Sequence, residues 1–155
     1  MEHGADINKG NSNSVMPLCM TCQNGHIEVV KYLVKHEADI NKAIDNGASP
    51  LYIACQEGHI EVVKYLVGHE ADINKGNSNS VMPLCMTCQN GHIEVLKYLV
   101  EHEADINKES ISGWTPLFIA CQNGHIEVVK YLVEHGADIN KEDNDGATPL
   151  SILCE

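Results

Sequence analysis

Residues 19–26 read Cys-Met-Thr-Cys-Gln-Asn-Gly-His, and the same eight residues return at 85–92. Two thiols three apart with an imidazole four further on are zinc-ligand types, and a C-x-x-C pair can also do thiol–disulfide chemistry. Histidine is plentiful as well. It falls in two rows, His26, His59, His92 and His125, and His3, His36, His69, His102 and His135. A closed zinc site needs about four ligands at roughly 2.0–2.3 Å from one ion. The elements must therefore bring two pairs together for the chemistry to exist. Other reactive arrangements are missing from the sequence. No serine or cysteine stands in a recognisable motif with a histidine and a carboxylate, and there is no glycine-rich phosphate loop. Neither an enzyme nor a cofactor is expected.

The elements follow from a period. Prolines stand at Pro17, Pro50, Pro83, Pro116 and Pro149, each 33 residues after the last. Cys22, Cys55, Cys88, Cys121 and Cys154 keep the same step, as do Gly25, Gly58, Gly91 and Gly124, and Tyr32, Tyr65, Tyr98 and Tyr131. A fixed period of this length marks a repeat architecture. Within one unit, Ser49-Pro50 reads as an N-cap followed by the first helical position, and Gly58 as the C-terminal stop. A second helix begins at His59, with Glu61 in its first turn, where the helix dipole favours negative charge. In the first unit, Glu28, Lys31 and Lys35 form one narrow polar stripe while Ile27, Val29, Val30, Leu33 and Val34 cover the rest. Such a helix needs neighbours on both sides, as a stack of helix pairs provides. Asp45, Asn46 and Gly47 are turn formers, and a projecting β-turn or hairpin linking one pair to the next is expected there.

This geometry answers the question of the thiols. Adjacent helices pack about 8–10 Å apart, so the pairs Cys19/Cys22 and Cys85/Cys88, two units apart, stand on the order of 20 Å from each other. They cannot close one site. Cysteines one unit apart are too distant for a disulfide, which needs Cα atoms within about 7 Å. The thiols read as small buried hydrophobes and the histidine rows as structural; metal binding through these rows is the weaker alternative.

The chain has 155 residues and a net charge of -12, and all ten cations are lysine. That balance argues against nucleic acid and anionic membranes, which reward cationic contacts. Its acidity suits a solvated surface or a face for a basic partner. The first ten residues carry no apolar leader segment and no window approaches a membrane span. Seven cysteines without a leader suit a reducing compartment. A cytoplasmic location is expected, the nucleus remaining open.

Asp145-Gly-Ala-Thr-Pro-Leu150, the run from Asn123 to Lys141 (NGHIEVVKYLVEHGADINK) and the 33-residue period resemble ankyrin repeats across essentially the whole chain. The resemblance implies an all-α solenoid of stacked helix-turn-helix pairs joined by β-hairpin fingers. It also implies a concave face of fingers and first helices, and a non-catalytic protein-interaction role. The corresponding frame is a partial unit at 1–12, repeats at 13–45, 46–78, 79–111 and 112–144, and a partial unit at 145–155. The Cys22 series occupies a position where the family normally has alanine.

The departures are specific. Where the family reads Thr-Pro-Leu-His, the Thr position holds Met16, Ser49, Met82, Thr115 and Thr148, and the His position holds Cys19, Tyr52, Cys85, Phe118 and Ser151. Met16 and Met82 forgo a capping oxygen, worth about 1 kcal/mol. Glu37, Glu70 and Glu103 replace the glycine after the second helix that survives at Gly4 and Gly136, and Ser14 and Ser80 replace the finger glycine. A glutamate at positive φ costs about 1–2 kcal/mol, so a stack less stable than a consensus one is expected. Both ends fall within a unit and lack a polar cap, which suggests a segment of a longer array or self-association through the ends. The segment 5–29 recurs at 71–95, the mark of a duplicated two-unit block.

Positions that differ between units map to the recognition face of the resembled family. They are Ser12, Asn13, Val15, Gln23 and Asn24 in the first unit and Asp45, Asn46, Ala48, Gln56 and Glu57 in the second. Ser78, Asn79, Val81, Gln89 and Asn90 follow, then Ile111, Ser112, Trp114, Gln122 and Asn123, and finally Asn144 and Asp145. Trp114 is the only tryptophan. Tryptophan is enriched among interface hot spots, and beside Ile111 it would be an apolar anchor; the other reading is local packing on its finger or on Phe118. Tyr52 and Phe118 are expected to pack between units. The functional expectation is a protein-interaction scaffold, the alternative a regulatory or spacer segment of a larger protein.

Overall fold

A computed structural model describes residues 6–11 and 15–154, with side chains as far as residue 152. Ser12, Asn13 and Ser14, like His3 and Gly4, lie outside the described residues. Four helix pairs follow one another: α1 (Pro17–Gln23) with α2 (Ile27–Lys35), α3 (Pro50–Glu57) with α4 (Ile60–Gly68), α5 (Pro83–Asn90) with α6 (Ile93–Glu101), and α7 (Pro116–Gln122) with α8 (Ile126–Glu134). A short 3-10 helix, Ser151–Cys154, comes last. Each first helix opens with proline, whose fixed φ suits that position and whose missing N–H is not needed there. Ser49 Oγ accepts the Tyr52 amide at 3.1 Å and Thr115 Oγ1 the Phe118 amide at 3.2 Å. Met16 and Met82 take the same extended backbone without a side-chain cap. Instead they bury their thioethers, at 3% and 1% exposure. Burying such a side chain contributes about 1.5–3 kcal/mol, which offsets the missing cap.

The first helices form one row, α1 on α3 on α5 on α7, and the second helices another, α2 on α4 on α6 on α8. The core runs between the rows through Leu51, Leu84 and Leu117, through Val63, Leu66, Leu96, Leu99 and Leu132, and through the thiols of Cys22, Cys55, Cys88 and Cys121. Burial along the second helices shows why the stack is needed. Val29 on α2 is 45% exposed, whereas Val62, Val95 and Val128 at the same position are each 1% exposed. On α8 the opposite flank is open, with Ile126 at 59% and Val133 at 46%. One helix face is covered by the preceding unit and the other by the following one.

Each second helix ends in a turn with two closing bonds. The Ala71 amide donates to Leu66 O at 3.0 Å and the Glu70 amide to Val67 O at 3.2 Å. This motif requires a left-handed residue between helix and loop. Glu37, Glu70 and Glu103 fill that place at φ of 68°, 67° and 67°. In four of the five Ala-Asp-Ile-Asn-Lys segments the asparagine then clamps the turn of the next unit. Asn41 Oδ1 accepts the Asp72 amide at 2.8 Å, and its Nδ2 donates to Glu70 O at 3.3 Å. Asn8, Asn74 and Asn107 repeat the clamp.

Of the two forms expected for a finger, a β-turn or a hairpin, the described residues have the turn. Among the described residues there is no strand; the fingers are tight turns, the second closed by Gly47 N to Ile44 O at 2.8 Å and Ile44 N to Ala48 O at 3.0 Å. The reason is length. The proline that opens the next helix follows two residues after that closing bond, so neither arm can extend into a ladder. Successive fingers are joined by backbone bonds, Ser78 N to Asn46 O, Ile111 N to Asn79 O and Asn144 N to Ser112 O, at 3.0, 3.0 and 3.3 Å.

Candidate partner-binding face

The fingers and first helices line one side of the stack. A cavity of about 250 Å³ opens there, walled by Val15, Met20, Ile44, Tyr52 and Ile53 and rimmed by Asn46, Gln56 and Glu57. Beneath it Ala48, Tyr52 and Met86 form a small apolar cluster with Ile44, Ile53 and Val81. Tyr52 is 7% exposed, and its hydroxyl oxygen accepts Asn77 Nδ2 at 3.2 Å; burial pushes its phenol pKa up. Phe118 is 2% exposed. Both aromatic side chains therefore pack inside.

Of the residues expected on this face, Asp45, Asn46, Glu57, Ser78, Asn79, Asn90, Ile111, Ser112, Asn123, Asn144 and Asp145 are exposed, and Gln56 and Val81 are half-buried. Ala48 lies at the base of that cavity at 2% exposure, its amide tied to Asn46 Oδ1 and its carbonyl closing the turn. Several exposed amides already hold the frame. Asn90 Nδ2 donates to Gln56 O, Asn123 Nδ2 to Ile119 O and Asn144 Nδ2 to Ile111 O. Sequence reasoning missed Met20, Ile44 and Ile53. The series Met20, Ile53, Met86 and Ile119 varies in type from unit to unit while staying apolar, and that variation was the available signal.

Trp114 packs locally and stays partly open. It is 37% exposed. Its ring stacks on Phe118 with centroids 5.7 Å apart and planes 14° from parallel. Its Nε1–H donates to Asp143 Oδ2 at 3.3 Å, and the same carboxylate's Oδ1 accepts the amides of Asp145 and Ala147. Ile111 beside it is 63% exposed. Lysine is confined elsewhere. Lys31, Lys64, Lys97 and Lys130 pair with Glu28, Glu61, Glu94 and Glu127 on the second helices, and Lys141 with Glu109 at 2.7 Å. No lysine stands in a first helix or between the closing residues of a finger.

A family model described as ankyrin repeats (3 copies) matches residues 1–77 and 71–143. The chain belongs to the ankyrin-repeat family. No curated protein was found to match the sequence. Ankyrin repeats are generally protein–protein interaction modules and a non-catalytic fold, and this ankyrin stack spends its reactive residue types on structure. Cys19, Cys22, Cys55, Cys85, Cys88 and Cys121 are free and buried. Desolvation pushes the Cys19 and Cys85 thiols up to about 11 and raises those of Cys22, Cys55 and Cys88 further. A thiol so held is inert, since the thiolate is the reactive form. His59, His92 and His125 each donate an Nε2–H to a carbonyl of the preceding unit, at 3.0, 2.9 and 2.9 Å. His36, His69, His102 and His135 donate Nδ1–H to a tyrosine carbonyl four residues back and stack on that ring at 3.8–4.1 Å. Among the described residues no three His, Cys, Asp or Glu side chains gather as a metal site requires, and no helix is long and apolar enough to cross a membrane.

Proposed function

We propose that this chain is a non-catalytic interaction scaffold that holds a partner protein along its concave face. The observation that carries the reading is the open cavity between the second finger and helices α1 and α3, where the apolar side chains of Val15, Met20, Ile44 and Ile53 stand together with the polar side chains of Gln23, Asn46, Gln56 and Glu57. A cleft that sets convergent polar groups beside apolar side chains offers a partner both orientation and contact area. The fingers are tied to one another and the turns to their neighbours, so the face is pre-organised and binding costs little ordering entropy. Asp45, Asn46, Gln56 and Glu57 form its first half; Ser78, Asn79, Val81 and Asn90 its middle; Ile111, Ser112, Trp114, Asn123, Asn144 and Asp145 its far end.

The test is site-specific photocrosslinking in extract of the source cell. A photoreactive residue at Gln56 is expected to capture a discrete protein, whereas the same residue at Lys64 on the second-helix side captures none. Equal capture from both positions would refute the concave reading.

A further inference from the structure

We infer that the exposed part of the Trp114 ring, beside Asp145, is a seat for a lysine or arginine side chain on a basic, extended segment of the partner. The inference rests on the concave-face reading above and names the chemistry of its far end. Trp114 is held as a pre-set platform. Phe118 supports one side of its ring, and Asp143 fixes its rotation through the indole N–H. The surface that stays open, 37%, is presented in one orientation. An aromatic face so presented attracts cations, most strongly for tryptophan.

The surroundings carry the complementary charge. Asp143 is consumed by three hydrogen bonds, so it positions the ring. Asp145, two residues on in the same tip, has an exposed side chain. The tip is fixed against the Trp114 finger through the Asn144 amide to Ser112 O and Asn144 Nδ2 to Ile111 O. The lysine nearest Asp145 in sequence, Lys141, is paired with Glu109 at 2.7 Å, and Lys108, six residues before Trp114, lies outside the turn that carries the ring. A cation on the ring therefore lies at the same joined pair of fingers as the Asp145 carboxylate, and the residues between the closing bonds of both fingers carry no lysine. Ile111, 63% exposed, offers the aliphatic stem of the same side chain an apolar rest.

The probes are fluorescein-labelled Gly-Arg-Gly-Arg-Gly and its glutamine counterpart, titrated by anisotropy against the whole chain. The arginine peptide is expected to bind saturably and the glutamine peptide to bind roughly tenfold more weakly. Trp114→Ala should weaken the arginine peptide by a similar roughly tenfold factor, and Trp114→Phe by less, because a smaller ring is retained. Asp145→Asn should weaken it severalfold. Glu28→Gln with Glu61→Gln removes twice that charge from the other side of the molecule and should leave binding within about twofold, since charges beyond a Debye length of roughly 8 Å are screened. Equal binding of the two peptides, retention by Trp114→Ala, an equal loss in the Glu28/Glu61 variant, or no saturable binding of the arginine peptide each overturns the seat. Circular dichroism of Trp114→Phe and Asp145→Asn confirms that they fold. Selective capture from Gln56 with no preference for the cation leaves the concave face standing and removes only the seat; loss of both removes the reading beneath it.

Discussion

His59 leans on Gly25 of the preceding repeat: a Cβ added to Gly25 would lie 2.7 Å from His59 Nδ1, while His59 Nε2–H reaches Gln23 O at 3.0 Å. Gly58 with His92 and Gly91 with His125 repeat the contact at 2.6 and 2.7 Å. Each glycine thus has two jobs. It adopts the left-handed turn that ends the first helix, and it lets the next repeat's imidazole sit on the backbone. The two jobs separate experimentally. Gly58→Ala meets positive φ, costing about 1–2 kcal/mol, and displaces the ring, costing about 1–3 more. Gly124→Ala has the same backbone strain, at φ of 70°, and open space around it, so it should cost about 1–2 kcal/mol alone. Urea unfolding of both variants reads the difference; equal losses would mean that the imidazole contact contributes nothing.

The turn glutamates store strain that glycine removes. Glu70 at φ of 67° sits where Gly136 sits at 89°. Glu70→Gly relieves about 1–2 kcal/mol and returns about 0.5–1 kcal/mol of unfolded-chain entropy. A net gain of about 0–1.5 kcal/mol is expected. A lower denaturation midpoint for Glu70→Gly would contradict it.

Restoring the missing cap should not help. Met82→Thr supplies a capping oxygen worth about 1 kcal/mol, but it removes a thioether that is 1% exposed. A large-to-small change in a core costs about 2 kcal/mol or more. The melting temperature is therefore expected to stay level or fall. A clear rise would show that the Met82 pocket is loosely packed.

The asparagine clamp couples neighbouring repeats. Asn74→Ala deletes the bonds to Asp105 N at 2.9 Å and Glu103 O at 3.3 Å, a loss of about 1–2 kcal/mol. Because the bonds cross a repeat boundary, the unfolding transition should also broaden. Asn74→Asp keeps the acceptor and should lose less. Circular dichroism against urea measures both midpoint and slope.

The buried thiols predict both reactivity and pH response. In a Cys154→Ser background the six buried thiols should resist a disulfide reagent at neutral pH and react together only on unfolding. Fast modification of any one of them in the folded state would contradict their place in the core. For Cys85 the folded pKa, about 11, lies above its ordinary value of 9.0. The protonated thiol is thus the form that folding favours. Its contribution is fully present below pH 9.0 and is lost as pH rises toward about 11, because only the unfolded chain gains by ionising. Stability measured from neutral pH upward should fall in that window, and less steeply in Cys85→Ala.

Much of this fold was legible because the 33-residue period reports a contact made again in every unit. Ser49-Pro50 named a helix start, Gly58 its end, and the doubly apolar second helices demanded neighbours on both flanks. These rest on short-range backbone chemistry and on burial summed over a face, which residue type and spacing encode directly. Glu37, Glu70 and Glu103 were readable as strained for the same reason, once the turn after each helix was placed. The tertiary structure decided which residues meet across a boundary. It set His59 on Gly25, the Asn41 amide on the turn at Glu70 and Asp72, and the Trp114 indole on Asp143. It brought Ala48, Met20 and Ile53 together in the lining of one cavity. Such pairs are 29 to 36 residues apart, and their meeting depends on the distance and rotation between packed units. Those are set by the whole interface at once, so local propensity and charge pattern carry no record of them.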